Sequence, residues 1–103
     1  MEVRRLREGE GALVRELRLR ALCDAPYAFS SSLEREAAYP PEHWERLVGD
    51  PVFIAVEGAE WLGMAGGYLP RDKPGTGVLW GLWVAPGARR RGLARRLVEA
   101  VAG

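Results

Sequence analysis

Leu82-Trp83-Val84-Ala85-Pro86-Gly87-Ala88-Arg89-Arg90-Arg91-Gly92-Leu93-Ala94 is the stretch that decides the fold. It is the end of an apolar run, Gly77 to Val84, that has strand length and carries Val78-Leu79-Trp80-Gly81-Leu82-Trp83-Val84 at its core. Pro86 and Gly87 end the strand. Leu93, Ala94, Leu97, Val98 and Val101 then recur at helical spacing, with Arg95, Arg96 and Glu99 outside them. A buried strand thus enters a turn, and the turn opens a helix. The first turn of a helix leaves backbone N–H groups without intrahelical partners, and the helix dipole adds partial positive charge there. A pyrophosphate fits such a site. Gly92 leaves the backbone bare for close approach of an anion, the small Ala94 lets the helix sit close to the strand, and Arg89, Arg90 and Arg91 add charge where the anion would lie.

Upstream of the decisive strand, Val52-Phe53-Ile54-Ala55-Val56 is a continuous apolar run rich in β-branched and aromatic residues, and Glu57-Gly58-Ala59-Glu60 is a turn. Trp61 to Leu69 is a second strand containing Gly63, Gly66 and Gly67, so the two runs read as an antiparallel hairpin. Pro70 to Thr76 is a polar loop. Nearer the N-terminus, Glu2 to Leu6 reads as an edge strand. Leu13, Val14, Leu17, Ala21 and Leu22 then have helical spacing, and Pro26 ends that helix. Ala25 to Ser32 is a loop. Ser31 followed by Glu34 fits a capping box that starts a short helix. Pro41 suits a first helical position, with Trp44, Leu47 and Val48 on one face, and Gly49-Asp50-Pro51 stops the segment. The order is β-α-α-β-β-β-α: an α/β (α+β) fold with a mixed, mainly antiparallel sheet flanked by helices. The three strands from Val52 to Val84 are expected in one antiparallel sheet with the Leu93–Val101 helix packed on it.

A chain of 103 residues, 48% hydrophobic, has room for one domain, residues 1–103, with a modest core. The formal net charge of +1 gives no general attraction to nucleic acid or an anionic membrane. The basic residues are nevertheless concentrated: Arg89, Arg90, Arg91, Arg95 and Arg96 lie within a single turn and helix start, while Lys73 is the only lysine. The single cysteine, Cys23, excludes an intrachain disulfide, suits a reducing cytoplasm, and reads as a small buried residue. No apolar run follows Met1-Glu2-Val3-Arg4-Arg5, which rules against a signal peptide, and no segment approaches membrane-spanning length. No His/Cys cluster has metal-ligand spacing, so no metal is expected.

The segment from Leu82 resembles the GCN5-related N-acetyltransferase (GNAT) family. Its pyrophosphate motif, Gln/Arg-x-x-Gly-x-Gly/Ala, is matched by Arg89-Arg90-Arg91-Gly92-Leu93-Ala94, and Leu82-Trp83-Val84-x-Pro resembles the approach to it. The order of elements agrees, and Ala25-Pro26-Tyr27-Ala28-Phe29 looks like the family's link between its first helices. The resemblance implies acetyl-CoA as co-substrate and an acceptor amine of a small molecule or protein that attacks the thioester directly. It implies that backbone groups of Leu82 and Val84, flanking Trp83, bind the pantetheine arm like an added strand. The pyrophosphate would lie on the turn from Arg89 through Arg90, Arg91, Gly92, Leu93 and Ala94 to Arg95. The resemblance stops at Gly103. The β-α-β-β part that follows in the family, with the tyrosine that protonates the thiolate, has no counterpart in these residues. Nor does Val78 to Val84 carry the glutamate that many members use, so acid and base are unassigned.

Tyr27, Phe29, Trp44 and Trp80 form a set that suits either an acceptor pocket or core packing. His43, the only histidine, reads as an exposed helix residue without a chemical role. Two other function classes remain: a non-catalytic module that binds CoA or another anion, and a small nucleic-acid binder. The low net charge and the absence of aromatics around the arginines oppose the latter. With no partner strand beyond it, the edge of Gly77–Val84 is expected to invite a homodimer.

Overall fold

The computed structural model describes residues 2–26, 31–68 and 78–102. Tyr27, Phe29, Leu69 and Gly77, and the polar loop from Pro70 to Thr76, lie outside the described residues. The elements are β1 (Glu2–Arg5), α1 (Gly11–Asp24), α2 (Leu33–Ala37), α3 (Pro41–Arg46), β2 (Val52–Glu57), β3 (Glu60–Tyr68), β4 (Val78–Val84) and α4 (Leu93–Ala102). Short 3-10 turns at Leu47–Gly49 and Pro86–Ala88 follow α3 and β4. The four strands form one sheet in the order β1-β2-β3-β4, every pair antiparallel, as the apolar runs and short turns implied.

The sheet is covered on both faces. Val52, Ile54 and Val56 of β2 pack with Leu6, Val14, Leu17, Ala21, Trp44, Met64 and Trp83 on the side of α1 and α3. Ala55 of β2 packs with Leu62, Ala65, Val84, Ala88, Leu93 and Leu97 on the side of α4. A strand buried on both faces has no polar positions, and this is why β2 reads as an unbroken apolar run. Burial of Leu93 and Leu97, each contributing about 1.5–3 kcal/mol, holds α4 on the sheet.

Two bulges set the geometry of the site. On β3, Val56 opposes Trp61 and Ala55 opposes Gly63, so Leu62 is an extra residue. On β4, Met64 opposes Trp83 and Gly66 opposes Trp80, so Gly81 and Leu82 together oppose Ala65. Gly81 has φ +65°, a left-handed conformation that glycine adopts without a Cβ penalty. The extra residue matters for facing. Trp80 and Trp83 are three apart and would otherwise point to opposite faces, but the bulge lets both pack on the α1/α3 side.

Some expectations are corrected. Among the described residues three helices separate β1 from β2, which are the three segments read from Leu13, Ser31 and Pro41 and one more than the order β-α-α-β-β-β-α counted; Ala38-Tyr39-Pro40 divides the last two, and Pro40 and Pro41 cannot continue α2. The cap of α2 is Ser32, whose Oγ accepts from the Arg35 N–H at 3.1 Å, one residue later than the Ser31–Glu34 box. Cys23 is exposed: the buried stripe of α1 is Val14, Leu17, Ala21 and Leu22, and a residue one step past Leu22 is turned about 100° toward solvent. Leu13, one step before Val14, is exposed for the same reason, and so is Val98 beside Leu97. Among the described residues no helix is long and apolar enough to cross a membrane.

Candidate functional site

The turn between β4 and α4 leaves backbone N–H groups free at a helix start. Gly92 accepts the first intrahelical hydrogen bond, from the Arg96 N–H at 3.1 Å, so it occupies the N-cap position. The N–H groups of Leu93, Ala94 and Arg95 therefore have no intrahelical acceptor. Arg90 and Gly92 both have positive φ, 68° and 73°, and turn backbone of this kind forms concavities lined with N–H groups. A Cβ built on Gly92 would meet nothing within 4 Å, so the space in front of it is open. That space is a cavity of about 440 Å³ lined by Ala25, Leu82, Trp83, Val84, Ala88, Arg89, Arg90, Gly92, Leu93 and Ala94.

The strand edge beside this cavity has backbone groups to offer. Ala85 N–H donates to the Leu62 carbonyl on β3 at 2.7 Å. Because successive residues of a strand point their N–H and C=O groups to opposite sides, those of Val84 face away from β3. Among the described residues β4 has a neighbour on one side only. The Val84 carbonyl accepts from Arg89 Nε at 3.0 Å, which leaves its second lone pair and the Val84 N–H for a strand-like ligand.

Asp24, at the end of α1, ties this region together. Its Oδ2 accepts from Trp83 Nε1 at 2.9 Å and from Arg89 Nη2 at 2.6 Å. The indole hydrogen bond, then that of the guanidinium and its charge, holds the Asp24 carboxyl below the usual range. Arg20 lies over the Trp83 ring, 5.5 Å from its centroid. Arg89 is thus a strut between α1 and the strand edge.

A second cavity, of about 300 Å³, lies on the α1/α3 side of the sheet and is lined by Arg18, Ser31, Arg35, Glu36, Tyr39, His43, Trp44, Leu47, Met64 and Trp80. Gly66 makes room for its wall, since a Cβ there would fall inside the Trp80 indole. Glu36 is the buried charged residue among the described residues, 5% exposed. Arg18 holds it with two hydrogen bonds, Nε to Oε1 at 2.8 Å and Nη2 to Oε2 at 3.1 Å. Burial pushes the Glu36 carboxyl up, but the hydrogen bonds from Arg18 and Ser31 and the charges of Arg18 and His43 outweigh it and hold it below its usual range. Tyr39, His43 and Trp44 form a ring cluster, with centroids 4.2 Å apart for Tyr39–His43 and 4.9 Å for His43–Trp44.

The first cavity gathers Leu82, Trp83, Val84, Arg89, Arg90, Gly92, Leu93 and Ala94. It leaves out the side chains of Arg91, drawn to Glu57 at 3.6 Å, and Arg95, paired with Glu99 at 2.9 Å. The second cavity is lined by Trp44 and Trp80, each of which also packs against the core. Tyr27 and Phe29 lie outside the described residues. His43, expected on an exposed surface, is half-buried in the cavity wall. Asp24, Arg35 and Glu36 were not singled out in the sequence. Asp24 is joined to Trp83 and Arg89 only by long-range packing, and nothing in its neighbours marks it. Glu36 carried a weak signal, as an acid on a short helix before an aromatic cluster.

A sequence profile described as the acetyltransferase (GNAT) family matches residues 16–103. The L-2,4-diaminobutyric acid acetyltransferase of Chromohalobacter salexigens is 51% identical over 45 residues, which is 44% of this chain and 23% of that protein. Among solved structures, a diaminobutyrate acetyltransferase from Paenibacillus lautus, in complex with L-2,4-diaminobutyric acid and coenzyme A, is similar with a TM-score of 0.72 at 22% identity. That match covers 99% of this chain and 56% of the other. A GCN5-related N-acetyltransferase from Ralstonia eutropha has a TM-score of 0.68 at 21% identity, covering 98% and 72%. At such identities the two structures show a common fold, and the chain spans about half the length of the first. With most of its residues matched by the profile, and the strand, turn and helix in the order that the motif required, the chain belongs to the acetyltransferase (GNAT) family.

Proposed function

We propose that the protein transfers an acetyl group from acetyl-CoA to a primary amine of a small molecule. The observation that carries this reading is the first cavity, where a free helix N-terminus, a turn with two left-handed residues and the outward backbone of Val84 converge. The pyrophosphate would sit on the amides of Leu93, Ala94 and Arg95 with Arg90 at the rim. The pantetheine arm would run along the outer edge of β4 from Val84 toward Gly81, a span of about 10 Å at strand rise. That path leads toward Trp80 and the second cavity, which would receive the acceptor.

In the reaction a neutral amine attacks the thioester carbonyl. A C–N bond forms, the C–S bond breaks, the thiolate of CoA leaves, and the nitrogen gives up a proton. Acetyl-CoA serves as co-substrate rather than resident cofactor, and the reading requires no metal. It also suits the cytoplasm, as the single cysteine does. Of the two forms of acceptor, a small molecule fits a 300 Å³ cavity better than a protein chain. The curated relative is named for L-2,4-diaminobutyric acid, which is therefore the first amine to assay.

The test is release of free CoA thiol from acetyl-CoA with a panel of amines, alongside calorimetric titration of CoA. Saturable thiol release that depends on an amine is expected. CoA binding without release under any amine would mark a binding module instead, and absence of CoA binding would remove the reading altogether.

A further inference from the structure

The chain's only histidine stands half-buried in the wall of the second cavity. Two aromatic neighbours hold the His43 ring. Tyr39 lies 4.2 Å away, centroid to centroid, tilted by 43°, and the Trp44 ring stands at 86° to it, 4.9 Å away. Trp44 is 2% exposed and packs in the core, so this support is anchored. Among the described residues the imidazole has no hydrogen-bond or ion-pair partner. Packing thus accounts for where the ring is held and leaves its two nitrogens without a use.

The transfer needs a proton acceptor on this wall. As the C–N bond forms, the attacking nitrogen becomes cationic and must lose a proton. The charged or titratable side chains that share the wall with His43 are Arg18 of α1, Arg35 and Glu36 of α2, and Tyr39; Met64 and Trp80 of the strands carry none. A guanidinium has no acceptor, and a phenol holds its own proton up to about pH 10, which sets aside Arg18, Arg35 and Tyr39. Glu36 accepts from Arg18 at both oxygens, at 2.8 and 3.1 Å. Its carboxyl is held below the usual range, so it takes up a proton poorly. An imidazole exchanges its proton between about pH 5 and 8, and a general base works best near the operating pH. A cavity of about 300 Å³ is roughly 8 Å across if round, so an occupant meets His43 directly or through one water.

Resting on the acetyltransferase reading, we infer that His43 is the general base of the transfer. A ring nitrogen of His43 takes the proton from the attacking nitrogen as the C–N bond forms. The C–S bond then breaks, and its electron pair leaves with CoA as the thiolate. Amide, thiolate and imidazolium result, and the imidazolium returns its proton through water to the thiolate.

The test pairs nuclear magnetic resonance with kinetics, and a single histidine makes the first unambiguous. Titrating the carbon-bound ring protons of the wild type measures the His43 pKa. For L-2,4-diaminobutyrate, or the fastest amine of the panel, log kcat/KM should gain one unit of slope below that pKa, because kcat/KM reports groups of the free enzyme. His43→Gln should lose the extra slope and lower kcat roughly 10²–10⁴-fold, the usual worth of a general base. Its CoA affinity by calorimetry should stay within about twofold of wild type, since an effect on the base alone leaves the donor cavity intact. His43→Ala should regain part of its rate with added imidazole and none with added sodium chloride. A ring that only packs gives neither the kinetic limb nor the rescue. Circular dichroism checks both variants, and should they unfold, agreement of the two wild-type pKa values decides alone. Thiol release with unchanged slope in His43→Gln, or a wild-type limb away from the resonance pKa, overturns this inference and leaves the acetyltransferase reading standing. No amine-dependent thiol release from the wild type overturns both.

Discussion

A methyl group on Gly92 would enter open space rather than protein, which makes this glycine a test of the turn at the scale of one residue. Two effects are separable. The left-handed φ of 73° penalises any side chain by about 1–2 kcal/mol of stability. A larger side chain would also stand where an anion reaches three amides at once. Gly92→Val should therefore weaken CoA binding by several times the roughly 1 kcal/mol expected for Arg90→Ala. Calorimetric titration of CoA checks the ranking, and equal affinity of Gly92→Val and wild type would contradict it. Asp24 makes the complementary case. Its replacement by Ala frees Arg89 and the Trp83 indole together, so thermal unfolding of Asp24→Ala should begin at lower temperature, and adding Arg89→Ala to it should lower the midpoint by less than Arg89→Ala does alone. A full additive loss would show that Asp24 and Arg89 act apart. Residues of the first kind were legible in sequence, because Gly92 sits inside a local motif whose geometry is fixed by a few neighbours. Asp24 was not, since its partners lie 59 and 65 positions away.

At the scale of elements, the joins decide what the sequence could and could not tell. The unbroken run of β2 and the 3.6-residue spacing of α4 follow directly from burial on both faces and on one stripe, and both were readable. The bulge in β4 was not read, although an isolated Gly81 inside a strand was its signal. Missing the bulge hides the fact that Trp80 and Trp83 share a face. The start of α1 was also opaque. Its first amide, on Gly11, donates to Glu45 Oε1 of α3 at 2.7 Å, a cap supplied from 34 residues away. Glu45→Ala should thus cost about 1 kcal/mol, the usual worth of a lost N-cap, and denaturant unfolding should show it. Gly66→Ala should cost about 1–3 kcal/mol by overpacking against the Trp80 ring. If Gly66→Ala proves neutral, the indole is able to shift, and the wall of the second cavity yields.

For the whole molecule, acid is the informative variable. The Arg18–Glu36 pair joins α1 to α2, and its carboxyl titrates below the usual range when folded. The unfolded chain then takes up this proton first as pH falls. The pair's stabilisation is present above about pH 4.3, the ordinary glutamate value, and is lost progressively below it. Wild-type Tm should fall more steeply than that of Glu36→Gln as pH drops through that window, and parallel curves would count against the pair. The exposed edge of β4 bears on assembly. A polypeptide of these 103 residues should self-associate through Leu82 and Val84, and sedimentation that shows only monomer at high concentration would refute it. The two cavities share β4, yet most of their remaining walls come from different parts of the chain: Ala25, the turn and α4 for one, and residues 31–47 with Arg18 and Met64 for the other. Inheritance can exploit that division. On the proposed function, changes confined to α2 and α3 outside His43 would let descendants drift from one acceptor to another while the proposed donor site stays untouched, whereas a slip in β4 would damage both at once. Variation among sister sequences should accordingly crowd into residues 31–47 and thin out along β4.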